Sequence, residues 1–193
     1  MNQPDDQFDR LFRAGDEVWN IFRERRGQAF HAFVPADYPR ALEALRVLRP
    51  RADSFLELGS GVGVITILAA KLGFDASGIE IDPWLVEQSE ELACEFNADA
   101  TFATGTFIPP AFQEQVDQYE MDLPTILNGN SGYEELSQPL DSFDLVYAFY
   151  WPGLEDLFFE LMAQHGREGA LLLTYSDLEG YRLWCDRQEI ALR

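Results

Sequence analysis

Apolar residues recur at Phe8, Leu11, Phe12, Val18, Trp19 and Phe22, the spacing of one face of a helix. The pattern predicts a helix over Phe8–Phe22 that ends before Gly27, with Arg23, Arg25 and Arg26 placed where cations complement the dipole. So aromatic a face requires a packing partner. Its own domain is the simplest partner, and a lid over a site or a dimer contact are the alternatives. Phe30 to Pro35 reads as a loop with embedded aromatics. Asp37 then caps a second helix, with Pro39 in its first turn, Leu42, Leu45 and Leu48 on one face, and a stop at Pro50.

From there short apolar runs alternate with helical patterns. Strands are expected at Ala52–Leu58, Asp75–Ile81, Ala100–Thr104, Phe143–Phe149 and Ala170–Tyr175. Helices are expected at Val62–Leu72, at 83–96 and at Leu154–His165, the last capped by Gly166. Residues 108–141 are rich in Pro, Gly, Asn and acids, with one helix near Gln113–Tyr119 and irregular chain after it. The end of the chain reads as a short extended pair, Tyr181–Trp184 and Glu189–Leu192. A run such as Leu145 to Phe149 is apolar at every position, which implies burial on both faces of a sheet. Alternation with burial predicts an α/β fold: a doubly wound, mostly parallel sheet with helices on both faces. Two parts are expected, a helical N-terminal extension over 1–36 and the α/β domain over 37–193.

The 193 residues suit one substantial core, and 47% of them are hydrophobic. No apolar stretch is long enough to span a bilayer, and Met1 to Asp6 is polar and acidic, so a soluble, cytoplasmic protein is expected. Two cysteines, Cys94 and Cys185, and two histidines, His31 and His165, share no metal-ligand or redox spacing. The net charge of −20 is concentrated in residues 52–166, where Lys71 is the lone cation. Such a body repels phosphate backbones, which disfavours nucleic acid as a bulk partner and favours a cationic or amine-bearing one, unless the charge serves solubility alone.

Phe55-Leu56-Glu57-Leu58-Gly59-Ser60-Gly61-Val62-Gly63 joins the first strand to its helix. Alternating glycines permit positive φ and close approach of a ligand, and the helix presents free N–H groups at the turn. Glu80 ends the second strand, 23 residues after Glu57, a spacing suited to accepting hydrogen bonds from ribose hydroxyls. A dinucleotide turn needs Gly-x-Gly-x-x-Gly, but here Val64 occupies the last position and the third glycine comes one residue early. A carboxylate beside the turn also suits a cation better than a pyrophosphate. Both features favour S-adenosyl-L-methionine, with its ammonium and sulfonium, over a nicotinamide dinucleotide.

Glu57 to Gly63 resembles motif I of the class I S-adenosylmethionine-dependent methyltransferases, and Gly78 to Pro83 is similar to the segment that follows it. The resemblance covers roughly residues 37–175. It implies a Rossmann-like methyltransferase fold with a shortened C-terminal end, because the family core finishes with a helix and an antiparallel strand pair. It implies that Glu57, Gly59, Ser60, Gly61 and Gly63 surround the methionine part, that Glu80 holds the ribose, and that Ile81 packs on the adenine. Where the family places an acid for the adenine amino group, this chain has Thr106, so the Thr106 hydroxyl or the Phe107 backbone is the expected substitute. Tyr147, Phe149, Tyr150 and Trp151 fall where the family faces its methyl acceptor, and aromatic rings there suit an amine through cation–π contact. The Asn/Asp-Pro-Pro-aromatic tetrad for planar amino groups is absent, as is a Pro-Cys pair. The implied activity is methyl transfer to an unidentified acceptor, an amine such as a protein lysine among the candidates. No catalytic residue and no metal is nominated, and the oligomeric state stays open. The alternative is a non-catalytic, cofactor-binding interaction or regulatory protein on the same fold. A nicotinamide oxidoreductase is the third reading.

Overall fold

The computed structural model describes residues 4–26, 36–116, 129–150 and 153–193. Its centre is a seven-stranded sheet in the order β3-β2-β1-β4-β5-β6-β7. The strands are β1 (Ser54–Leu58), β2 (Asp75–Glu80), β3 (Ala100–Thr104), β4 (Leu145–Phe149), β5 (Leu171–Ser176), β6 (Gly180–Cys185) and β7 (Gln188–Ile190). The first five pair in parallel, while β6 and β7 return antiparallel as a meander. The order reverses between β1 and β4, and a doubly wound sheet opens its crevice at the carboxyl ends of such a pair.

Seven helices cover the sheet among the described residues: α1 (Pro4–Arg26), α2 (Tyr38–Leu48), α3 (Val64–Lys71), α4 (Pro83–Glu95), α5 (Gln113–Val116), α6 (Gly132–Leu136) and α7 (Glu155–His165). Two apolar clusters, one per face, follow from strand pleating. Phe55, Leu145, Tyr147, Leu173 and Tyr175 face one way, toward Leu11 and Phe22 of α1, Leu45 of α2, Leu68 of α3 and Leu92 of α4. Leu56, Leu58, Val146, Ala148 and Leu172 face the other way, toward Phe112, Tyr133, Phe158 and Leu161. Helix α1 thus packs on the face shared by α3 and α4, with Phe22 stacked on Trp84 at 5.9 Å. No helix of the described residues is long and apolar enough to cross a membrane.

Local chemistry sets most boundaries. Asp37 accepts the Arg40 N–H at 3.1 Å and caps α2, and Asp82 accepts the Trp84 N–H at 3.0 Å and caps α4. Asp144 accepts the N–H groups of Asp53 and Ser54 and pairs with Arg167, which ties the entry of β4 to that of β1.

Three expectations need correction. Strands β1, β4 and β5 begin one or two residues later than their apolar runs, because Ala52, Phe143 and Ala170 are buried before pairing starts. Gly166 does end α7, donating to the Met162 carbonyl, but in an extended conformation (φ −78°). A Cβ there would stand 2.6 Å from the Met162 oxygen, so closeness rather than a left-handed turn requires glycine. The stretch expected to be irregular after Tyr119 contains α6, too short to give a periodic signal. The C-terminal end is short, as expected: β5 turns directly into β6, without the extra helix of the resembling family. The loop aromatics Phe30 to Val34 and the expected helix end at Tyr119 lie outside the described residues.

Candidate functional site

Three glycines shape the turn after β1, and all three are left-handed: Gly59 (φ +76°), Gly61 (φ +54°) and Gly63 (φ +75°). Gly63 is the most constrained. A Cβ there would meet Ser89 at 2.7 Å and Phe102 at 2.8 Å, so α3 starts hard against α4 and β3. Gly61 is the opposite case, with nothing within 4 Å of a built Cβ. Its outer side is an open cradle bounded by backbone. The turn is pinned from below, where the Gly59 and Ser60 N–H groups both donate to the Ile79 carbonyl at 2.9 Å.

The two carboxylates flank this turn. Glu57, on β1 opposite Gly78 of β2 and Tyr147 of β4, is buried. Its Oε2 accepts the Thr66 N–H at 2.9 Å and the Thr66 hydroxyl at 2.6 Å, satisfying a donor in the first turn of α3. Burial outweighs these bonds and pushes the Glu57 carboxyl up from 4.5 to about 8. Glu80, at the end of β2, receives the Gly61 N–H on Oε2 at 2.8 Å and the Asp82 N–H on Oε1 at 3.0 Å. Burial raises its pKa as well, against the backbone bonds that oppose it. Neither carboxylate has an ion pair among the described residues. Two buried acids of raised pKa beside an open backbone cradle are complementary to a cationic ligand and hostile to a phosphate.

A group of tyrosines stands next to Glu57 on the same sheet face. Tyr147 is fully buried, and its hydroxyl lies beside that of Tyr181 without hydrogen-bonding geometry to any described group. Its ring stacks on Tyr181 at 6.1 Å, and Tyr181 in turn meets Tyr175 at 4.6 Å. The Tyr181 hydroxyl donates to the Asp37 carbonyl at 3.3 Å, joining β6 to the start of α2. Burial pushes Tyr38, Tyr147 and Tyr181 well above the usual phenol range, and the Glu57 charge adds to it. Tyr175 and Tyr181 belong to no sequence motif. Their signal is positional: an aromatic near the carboxyl end of β5 and its antiparallel partner on β6.

The other expected residues divide. Ile81 is half-buried at the rim beside Glu80. The Ser60 side chain packs against Gly78 under the turn, leaving only its backbone in the cradle. Thr106 is buried, and its hydroxyl accepts the Ile108 N–H at 3.1 Å. Phe107 stacks on Phe158 at 5.8 Å, and its carbonyl accepts the Tyr133 hydroxyl at 2.8 Å. Phe149 packs edge-on against Tyr175 at 5.0 Å, toward the tyrosine group. Tyr150 faces the opposite cluster and donates to Glu179 at 3.2 Å, so alternation along the strand separates it from Tyr147 and Phe149. Trp151 lies outside the described residues.

No family model matches the chain. Two curated methyltransferases share segments with it. An ATP synthase lysine N-methyltransferase of Homo sapiens is 48% identical over 54 residues, which are 28% of this chain and 23% of that protein. The ribosomal protein L11 methyltransferase of Thermus thermophilus is 45% identical over 67 residues, 34% of this chain and 26% of that protein. The matched segments thus span about a quarter of those relatives' length. Among solved structures, an O-methyltransferase from Bacillus cereus in complex with S-adenosylhomocysteine aligns with a TM-score of 0.56 at 12% identity, over 90% of this chain and 67% of that one. An RNA methyltransferase from Salinibacter ruber, also with S-adenosyl-L-homocysteine, aligns with a TM-score of 0.53 at 24% identity, over 82% and 97%. At these identities the likeness is one of fold.

Proposed function

We propose that this chain, which has the class I S-adenosylmethionine-dependent methyltransferase fold, transfers a methyl group from S-adenosyl-L-methionine to an amine, with a protein lysine as the leading acceptor. The observation that carries the cofactor is the left-handed glycine turn held between Glu57 and Glu80. When bound, the cofactor supplies an electrophilic methyl group on a sulfonium.

The chain's own residues have three tasks in this reading. Glu80 keeps lone pairs beyond its two backbone bonds and accepts from ribose hydroxyls. Glu57 directs Oε2 at Thr66 and meets the ammonium of the methionine part with Oε1. The rings of Tyr147, Tyr175 and Tyr181 keep water away from the carboxyl end of β4 and offer their faces to a cationic amine. The unpartnered Tyr147 hydroxyl is placed to accept a hydrogen bond from that amine. Methyl transfer needs alignment of nucleophile, carbon and sulfur more than it needs an acid or base, so a site without a histidine or a metal suffices.

The acceptor class draws support from the net charge of −20 and from the printed names of the curated relatives, one a lysine methyltransferase and one named for a ribosomal protein. Incubation of the protein with methyl-tritiated cofactor and a panel of lysine-rich proteins tests it. Label on lysine side chains is expected. Label confined to hydroxyl or nucleobase acceptors would refute the amine assignment.

A further inference from the structure

The long connection between β3 and β4 comes back to the site at a defined place. The Thr106 N–H donates to the Asn130 carbonyl at 2.8 Å, and the Gly132 N–H donates to the Thr106 carbonyl at 3.0 Å, a parallel bridge outside the main sheet. Two glycines make this approach possible. A Cβ on Gly105 would stand 2.5 Å from the Asn130 carbonyl oxygen, and a Cβ on Gly129 would stand 2.8 Å from Cδ1 of Ile81. Residues 129–132 therefore form a wall beside Ile81 and Glu80, at the rim of the crevice.

On that wall the polar groups expected to meet the base are engaged inside the protein. Both backbone groups of Thr106 are paired with the returning segment, its hydroxyl accepts from Ile108, and the Phe107 carbonyl accepts from Tyr133. Asn130 differs. Its backbone is fixed by Thr106 while its side chain is exposed. A carboxamide presents an acceptor and a donor side by side, the complement of the amino group and adjacent ring nitrogen of adenine.

We infer that the Asn130 side chain reads the edge of the cofactor's adenine, in the place of an acid after β3. This rests on the cofactor assignment above. The test compares S-adenosylhomocysteine with S-inosylhomocysteine, in which the 6-amino donor becomes a carbonyl, by calorimetric titration. The wild-type chain should prefer the adenine compound by roughly tenfold, the worth of one or two hydrogen bonds. Asn130→Ala should bring the two affinities together, and Asn130→Asp, which keeps an acceptor for the amino group, should retain the preference. A preference unchanged in Asn130→Ala, or lost equally in Asn130→Asp and Asn130→Ala, would overturn the inference and leave the methyltransferase reading intact. Failure of the folded wild-type chain to bind either compound would instead remove the cofactor reading, and this inference with it.

Discussion

Replacing Glu57 by Gln tests the electrostatics of the site directly. The wild-type carboxyl is fully buried and raised from 4.5 to about 8. Between those two values the folded chain holds a proton that the unfolded chain has released. Unfolding stability must therefore fall as pH rises across that window and level off above it. At about 1.4 kcal/mol per unit, the loss is on the order of 3–5 kcal/mol, large against the net stability of a typical domain. Glutamine keeps an oxygen for the Thr66 N–H and hydroxyl but cannot ionise. Urea titrations at pH 5, 6.5 and 8 should show Glu57→Gln gaining on wild type as pH rises. Parallel stability curves would refute the reasoning, because they would mean that Glu57 ionises as freely in the folded chain as in water. The same shift has a functional face. A cationic ligand favours the ionised carboxylate, so cofactor affinity should rise with pH toward about 8, with a proton released to buffer on binding. Glu57→Gln should abolish that release.

Gly63→Ala should destabilise the fold by about 2–4 kcal/mol, from left-handed strain and the 2.7 Å approach to Ser89, as read by thermal melting. Tyr147→Phe removes a buried hydroxyl with no hydrogen-bonding partner among the described residues, so stability should hold or rise by up to about 1 kcal/mol while methyl transfer slows. Unchanged kcat would remove Tyr147 from the acceptor's contacts. Asp144 is partly buried, which opposes ionisation, but the hydrogen bonds from Ser54 and Asp53 and the Arg167 charge hold its pKa below the usual carboxylate value. Its contribution is present near neutrality and fades as pH falls through the lowered pKa. Asp144→Asn should cost about 1 kcal/mol at pH 7 and little at pH 3, measured by denaturant titration.

The parts of the molecule that are readable in sequence are those governed by local rules. Continuous apolar runs mark β1 through β5, and Asp37 and Asp82 announce the helices they cap. The glycine turn and Glu80 are legible because their spacing is set by one strand–turn–helix unit. What escapes depends on contacts distant along the chain. The Tyr147–Tyr181 stack requires β6 to lie antiparallel to β5 with Tyr175 opposite Tyr181, a register that no short pattern states. The wall at 129–132 depends on a long return of the chain to Thr106. Thr106 and Phe107 follow β3 and so read as ligand contacts, but tertiary hydrogen bonds engage both.

The central claim is that the turn between Glu57 and Glu80 holds an adenosyl cation. Its most direct test is calorimetric titration of the folded chain with S-adenosylmethionine and S-adenosylhomocysteine, beside Glu80→Ala. The account predicts saturable binding with Kd on the order of micromolar, weakened at least roughly tenfold in Glu80→Ala. Absence of heat with either compound, or equal affinity in the variant, would contradict it.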